Sequence, residues 1–149
     1  PGWRFLLIAP DDPGTPDNVH ADDAVFKVDG LVAPAGFRYD IRDIVAASDI
    51  VTLPSYYQEG LPRFLLEGMA CGKPIVTTDH TGCRETVISG KNGILVPPRD
   101  HVALAEALAL LMDDEQLRQA LGKESRSLCQ SAFSETVVCD RILKEVYMV

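Results

Sequence analysis

Two hydrophobic rhythms alternate along the chain. Five short apolar runs rich in β-branched residues, Arg4–Ala9, Ala24–Val28, Ile50–Leu53, Pro74–Thr77 and Gly93–Val96, are too short for helices and read as strands. Between them the apolar positions take a helical period: Ile41, Ile44, Val45 and Ala47 share one face, and Phe64, Leu65, Gly68 and Met69 share another. Strands alternating with amphipathic helices predict a parallel sheet with crossover helices.

From Asp100 onward the pattern is helical only. Val102, Leu104, Ala105, Leu108, Leu111 and Met112 form one stripe, Leu117, Leu121 and Leu128 the next, and Val137, Val138, Ile142, Val146 and Tyr147 a third. Pro97-Pro98-Arg99-Asp100 and Ser134 are the expected helix starts, since Pro and the short polar side chains suit positions whose N–H groups lack intrahelical acceptors. Pro10 to Asp23 and Gly30 to Arg38 carry Pro, Gly and Asp without periodicity and read as irregular.

The chain has 149 residues, a length that suits one domain, and 46% of them are hydrophobic, enough for a core. The expectation is therefore a single Rossmann-like unit over residues 1–149. Lys and Arg number 14 against 22 Asp and Glu, a net charge of −8, which argues against a surface built for nucleic acid or anionic lipid. An anion site must then be local, made of backbone N–H groups at a helix start plus a few cations. No apolar run approaches the roughly 20 residues that cross a bilayer. The start, Pro1-Gly2-Trp3-Arg4-Phe5, has no signal-peptide pattern and no Met, which suggests an excised piece. Cys71, Cys83, Cys129 and Cys139 form no C-x-x-C pair and read as reduced thiols, and His20, His80 and His101 are too scattered for a metal site.

The stretch richest in chemistry is Ser55 to Pro74. It follows the strand Ile50–Leu53, and Gly60 frees the backbone just before Leu61 and Pro62, where a helix is expected to begin with Pro at its first position. Converging N–H groups there suit a phosphate. Glu59 lies on the loop, and Glu67 lies further along an otherwise apolar helix, where it is either solvated or buried with hydrogen-bond partners. A parallel arrangement follows the next strand: Gly82 is expected to open a helix through Thr86 and Val87, with Glu85 in its first turn either complementing the dipole or facing ligand. Asn92-Gly93 in Gly90-Lys91-Asn92-Gly93 reads as a structural turn, and Lys73 as a residue at the far edge of the sheet.

These residues resemble retaining glycosyltransferases of family 4, with the GT-B architecture of two Rossmann-like domains. The similarity runs from about Ala24 to Asp100 through Asp49-Ile50-Val51-Thr52-Leu53-Pro54-Ser55, Glu59-Gly60-Leu61-Pro62, Glu67-Gly68-Met69-Ala70-Cys71-Gly72-Lys73-Pro74, Gly82-Cys83-Arg84-Glu85-Thr86-Val87 and Gly90-Lys91-Asn92-Gly93-Ile94-Leu95-Val96-Pro97-Pro98. The tail from Phe133 to Tyr147 resembles the family's closing helix. The resemblance implies a donor-binding domain, α/β with a parallel sheet flanked by helices, that moves a hexose or N-acetylhexosamine from a nucleoside diphosphate, UDP by preference, to a glycan or lipid-linked acceptor in bacterial surface polysaccharide synthesis. It implies that Glu59 stands beside the transferred sugar as the catalytic carboxylate, that Glu67 accepts from the ribose hydroxyls, and that the backbone around Gly60, Leu61, Pro62 and Gly82 faces the donor. No cofactor and no obligatory metal are implied, since helix N-termini and basic side chains stabilise the leaving diphosphate. Front-face attack is the favoured route to retention, so Glu59 is not assigned as a nucleophile.

The resemblance further implies that a first strand-helix unit and an N-terminal acceptor domain are missing, together with an Arg and a Lys that clamp the diphosphate, because Arg4–Ala9 resembles the family's second strand. The loop Pro10-Asp11-Asp12-Pro13-Gly14 is more acidic than the family's usual one. On this reading the fragment alone is inactive, the whole protein is cytoplasmic or peripheral on the inner face of the cytoplasmic membrane, and Leu31 and Tyr39 are candidates to flank the base. Two alternatives stand beside it. One is a catalytically silent module of the same fold that binds a nucleotide or a partner. The other is a phospho-receiver, suggested by Asp11-Asp12 and Lys73-Pro74 but opposed by Pro54-Ser55 where a phospho-acceptor Asp belongs.

Overall fold

The computed structural model describes residues 2–9, 30–58 and 60–148. They fall into two units, Pro1–Ile41 and Arg42–Val149. The expected strand Ala24–Val28 and the expected loop Pro10 to Asp23 lie outside the described residues.

In the first unit, β1 (Phe5–Leu7) pairs in parallel with β2 (Val32–Pro34), Phe5 opposite Val32 and Leu7 opposite Pro34. β2 corrects the expectation that Gly30 to Arg38 is irregular. The apolar run is only Leu31-Val32-Ala33, and it becomes a strand because Phe5 N–H donates to the Leu31 carbonyl at 2.8 Å and Ala35 N–H to the Leu7 carbonyl at 2.8 Å. Pro34 ends the strand and, having no N–H, donates nothing to the pairing.

In the second unit, β3 (Val51–Leu53), β4 (Ile75–Thr78) and β5 (Gly93–Val96) form a parallel sheet in that order. Every residue of the central strand β4 is buried, as a parallel strand covered on both faces should be. Its two threonines are satisfied inside the sheet: Thr77 Oγ1 donates to the Leu53 carbonyl at 2.7 Å, and Thr78 Oγ1 donates to the Ser55 carbonyl. α1 (Ile41–Ala47) precedes β3, α2 (Arg63–Ala70) joins β3 to β4, and α3 (His101–Asp113), α4 (Glu115–Ala132) and α5 (Glu135–Glu145) follow β5. α2 packs on β3 and β4, α3 on β4 and β5, and α4 on α2 and the sheet. Val76, Val96, Ala107, Leu111 and Leu121 form a core flanked by Ile94, Leu104 and Leu117.

Close backbone approach is required at Gly122 of α4. A Cβ there would run into the Gly72 carbonyl oxygen, so α4 lies against the turn after α2 only because the side chain is absent. Asp100 caps α3 as expected, its carboxylate accepting from Val102 and Ala103 N–H at 3.1 and 2.9 Å. Ser134 stands at the expected N-cap of α5 but makes no capping hydrogen bond.

Three cations satisfy helix C-termini. Lys73 Nζ donates to the Ala46 carbonyl of α1 at 2.8 Å, Arg126 to the Ala70 carbonyl of α2 at 2.5 Å, and Arg118 to the Leu111 and Met112 carbonyls of α3 at 2.6 and 3.0 Å. Each meets orphan carbonyls at the negative end of a helix dipole. Because the helices run antiparallel to the strands they follow or precede, these cations stand at the N-terminal edge of the sheet, opposite the edge where such folds bind ligands.

Candidate functional site

The loops that leave the C-terminal ends of β3, β4 and β5 form the candidate site. After β3 the chain passes Pro54, Ser55, Tyr56 and Tyr57 and enters α2 at Arg63, with Pro62 as the N-cap at φ −67° and ψ 117°. The helix thus begins one residue later than expected. Pro62 is buried, whereas Gly60 and Leu61 are exposed. The first intrahelical bonds are Leu65 and Leu66 N–H to the Pro62 carbonyl, at 3.1 and 3.3 Å. The N–H groups of Arg63 and Phe64 therefore stand ahead of the ladder, and Pro62 has no side-chain oxygen to cap them. Glu59 lies outside the described residues.

Glu67 sits four residues into α2 from Arg63, about 6 Å along the axis. Its neighbours Leu65, Gly68 and Met69 are buried, while Glu67 is half-buried and its carboxylate forms no hydrogen bond or ion pair with the described residues. Of the two sequence readings, fully solvated or buried with partners, it takes an intermediate place. A half-buried carboxylate with open acceptor sites is free to take hydroxyl donors from a ligand.

The loop after β4 corrects the second expected helix. Arg84–Thr86 is a single 3₁₀ turn, and Val87 is already extended at φ −126° and ψ 125°. The reason is Asn92. Its side chain is fully buried, and its Nδ2 donates to the Thr86 carbonyl at 2.9 Å while its Oδ1 accepts from Ile88 N–H at 2.7 Å. The carbonyl and N–H that would continue a helix are taken. One turn has no developed macrodipole, so Glu85, which is exposed, does not complement one.

Gly82 remains important for a different reason. It is buried at φ +87°, a left-handed conformation that lets the loop fold back on itself. Asp79 N–H reaches the Val96 carbonyl of β5 at 2.8 Å, and Arg84 N–H the His80 carbonyl at 2.9 Å. The Arg84 side chain closes the loop onto Asp79, 3.1 Å from its carboxylate and 2.9 Å from its carbonyl. Inside the loop the buried His80 Nδ1 has no hydrogen-bond partner among the described residues.

Two side chains at this edge were not singled out from sequence. Arg99, just beyond β5, places its guanidinium carbon 4.2 Å from the centre of the Tyr56 ring. Tyr56 stacks on Tyr57 with centroids 4.3 Å apart. The tripeptide Pro98-Arg99-Asp100 signals a helix start, and nothing in it reveals a partner 43 positions upstream. Lys73, by contrast, stands at the far edge on the Ala46 carbonyl, as the sequence suggested. An open groove there, lined by Ser48, Asp49, Gly72, Lys73 and Arg118, is bordered by cations engaged with helix ends. In the first unit Tyr39 is 94% exposed and makes an edge-on ring contact with Phe37, and Leu31 is exposed as well. The four cysteines are free thiols. Among the described residues no cluster of His, Cys, Asp and Glu could hold a metal ion, and no helix is long and apolar enough to cross a membrane.

Residues 32–128 match the family described as glycosyl transferases group 1. An N,N'-diacetylbacillosaminyl-diphospho-undecaprenol alpha-1,3-N-acetylgalactosaminyltransferase of Campylobacter jejuni is 35% identical over 143 residues, 95% of this chain and 36% of its own length. The lipopolysaccharide core biosynthesis glycosyltransferase LpsE of Rhizobium meliloti is 30% identical over 128 residues, 86% of this chain and 37% of its own. The chain thus spans little more than a third of these relatives. Among solved structures, Anabaena HepE in complex with UDP superposes with a TM-score of 0.88 at 26% identity, covering 99% of this chain and 41% of that one. Parallel strands flanked by helices are the arrangement shared with these GT-B enzymes.

Proposed function

Since this chain belongs to the group 1 glycosyl transferases, we propose that it is the nucleotide-sugar half of an enzyme of bacterial surface polysaccharide synthesis. The observation that carries the reading is the start of α2, where N–H groups that Pro62 cannot cap stand one turn from Glu67, whose carboxylate has no partner among the described residues. The first feature suits a diphosphate and the second suits vicinal hydroxyls, which is the pairing a nucleoside diphosphate presents. HepE, crystallised with UDP and with UDP-glucose, supports UDP as the nucleotide carrier.

In the reaction, the bond from the anomeric carbon to the diphosphate oxygen breaks with its electron pair leaving on the diphosphate. The acceptor oxygen bonds to the same carbon, and the acceptor proton passes to the departing diphosphate. Charge develops on the leaving group, so the N–H groups of Arg63 and Phe64 contribute most in the transition state. Glu59 is assigned to the hydroxyls of the transferred sugar and Glu67 to the ribose. Gly60, Leu61 and Gly82 bring backbone close to the donor. Pro62 offers no N–H, and its part is to set the start of the helix. Retention by front-face attack and independence of a bound metal belong to the same reading.

The acceptor is a glycan or a lipid-linked saccharide, as in the Campylobacter relative, bound by a second domain of the whole protein at the inner face of the cytoplasmic membrane. The silent-module alternative loses support from the retained Glu59, Gly60 and Glu67, and the family match removes the receiver alternative.

The test is calorimetric titration of the polypeptide carrying this domain with UDP and UDP-sugars. Glu67→Ala is expected to weaken UDP about 10- to 100-fold, the worth of hydrogen bonds to a charged acceptor. Unchanged affinity overturns the ribose assignment. Glu59→Ala is expected to abolish sugar transfer while sparing UDP binding, and an unaltered rate overturns its catalytic role.

A further inference from the structure

Arg99 adopts φ +62°, a left-handed conformation taken elsewhere in the described chain by Gly30, Gly36, Gly72, Gly82 and Gly90 and, beyond the last helix, by Met148 at φ +51°. For an L-residue with a long side chain it is strained, so something must hold it. Its backbone cannot relax, because its neighbours are committed. Asp100 N–H donates to the Pro97 carbonyl, and the Asp100 carboxylate caps α3. The left-handed residue directs the guanidinium back over the β3–α2 loop, 4.2 Å above Tyr56.

Tyr57 stacks on Tyr56 at 4.3 Å and an interplanar angle of 28°, and their hydroxyls are hydrogen-bonded at 2.9 Å. Arg99 and Tyr57 therefore both lie against the Tyr56 ring. The same loop is fixed from a second side, where Thr78 Oγ1 donates to the Ser55 carbonyl. Ser55 is thus tied to β4, and Tyr56 to the end of β5. Tyr57 stands three residues before Gly60 and the open start of α2.

We propose that Arg99 is a positioning residue for the nucleotide-sugar site, holding the β3–α2 loop through Tyr56 and so setting the approach to the N-terminus of α2. The inference rests on the donor reading above. The energy of a guanidinium stacked on a half-buried ring offsets the strain of its backbone, an arrangement with no purpose for stability alone, since glycine would take the same φ without strain.

The experiment uses the polypeptide carrying this domain and a UDP-sugar that the wild type transfers. Donor KM, kcat and Tm are measured for Arg99→Gly, Tyr56→Leu, the double variant and Arg99→Lys, together with chymotryptic cleavage after Tyr57. Arg99→Gly is expected to raise donor KM about 5-fold with Tm unchanged or higher, and to speed cleavage. Tyr56→Leu is expected to raise KM alike, the double variant to be no worse than the single ones, and Arg99→Lys to recover part of the loss. Unchanged KM in Arg99→Gly overturns the inference. So does a neutral Tyr56→Leu beside a damaged Arg99→Gly, which makes Arg99 a direct donor contact, and so does a fall in Tm with KM unmoved. If the wild type transfers no UDP-sugar, the donor reading fails. Faster cleavage of Arg99→Gly in that case still supports the hold of Arg99 on the loop, and unchanged cleavage overturns that as well.

Discussion

Ser125 Oγ donates to the Asn92 carbonyl at 2.8 Å, joining the middle of α4 to the turn that leads into β5. The same carbonyl accepts from Ile75 N–H at 3.3 Å, and the Asn92 side chain holds both the Thr86 carbonyl and the Ile88 N–H. One fully buried residue therefore connects the 3₁₀ turn, the start of β4, the start of β5 and a helix on the sheet. Asn92→Ala leaves the half-buried Ile88 N–H and the buried Thr86 carbonyl without partners and is expected to cost about 3 kcal/mol. Equilibrium unfolding in urea checks this, and a loss below about 1 kcal/mol contradicts it.

Gly122→Ala places a methyl group against the Gly72 carbonyl, a backbone atom that cannot swing aside. The expected loss is at the upper end for overpacking, about 3 kcal/mol. Gly90→Ala is the control. Its Cβ meets open space, and only the φ of +78° is strained, so about 1 kcal/mol is expected. Thermal unfolding of the two variants should rank them in that order.

Lys73→Met removes the cation from the C-terminus of α1 but keeps most of the aliphatic stem. The expected loss is about 0.5 kcal/mol, with affinity for UDP unchanged, because the Ala46 carbonyl lies at the edge of the sheet away from α2's start. Weakened UDP binding in this variant would mean that the far edge takes part in donor recognition.

Burial pushes the Cys129 thiol above its ordinary value, with nearby Arg126 opposing, and its Sγ lies 3.8 Å from the Leu66 carbonyl. The fold thus favours the neutral thiol. The associated stability is present below the unfolded thiol's pKa and is lost as pH rises through that range, since the unfolded chain ionises first. At pH 8, iodoacetamide is expected to label the exposed Cys139 first, Cys129 more slowly, and the buried Cys83 only on unfolding. Peptide mass spectrometry over a time course checks the order, and a Cys129 that reacts as fast as Cys139 contradicts it.

The sequence by itself determined the parallel sheet of the second unit and its helices, because their signals are local. Ile75-Val76 and Ile94-Leu95-Val96 are continuous apolar runs, the stripes of α2, α3 and α4 repeat at helical period, and Asp100 marks a helix start with its own side chain. The helix start at Pro62 and the place of Glu67 on α2 were legible for the same reason, since a proline and an isolated carboxylate in an apolar helix each announce a local condition. Tertiary structure alone decided the rest. Val32–Pro34 is a strand only because β1 is beside it. The expected helix after Gly82 stops at one turn because Asn92, six residues on, captures the Thr86 carbonyl. Lys73, Ser125 and Arg126 find backbone acceptors 27, 33 and 56 residues away, and Arg99 is bent back over Tyr56. A side chain's pairing with distant backbone leaves no periodicity in its neighbours, so it is fixed only when packing of the sheet and helices brings the two together.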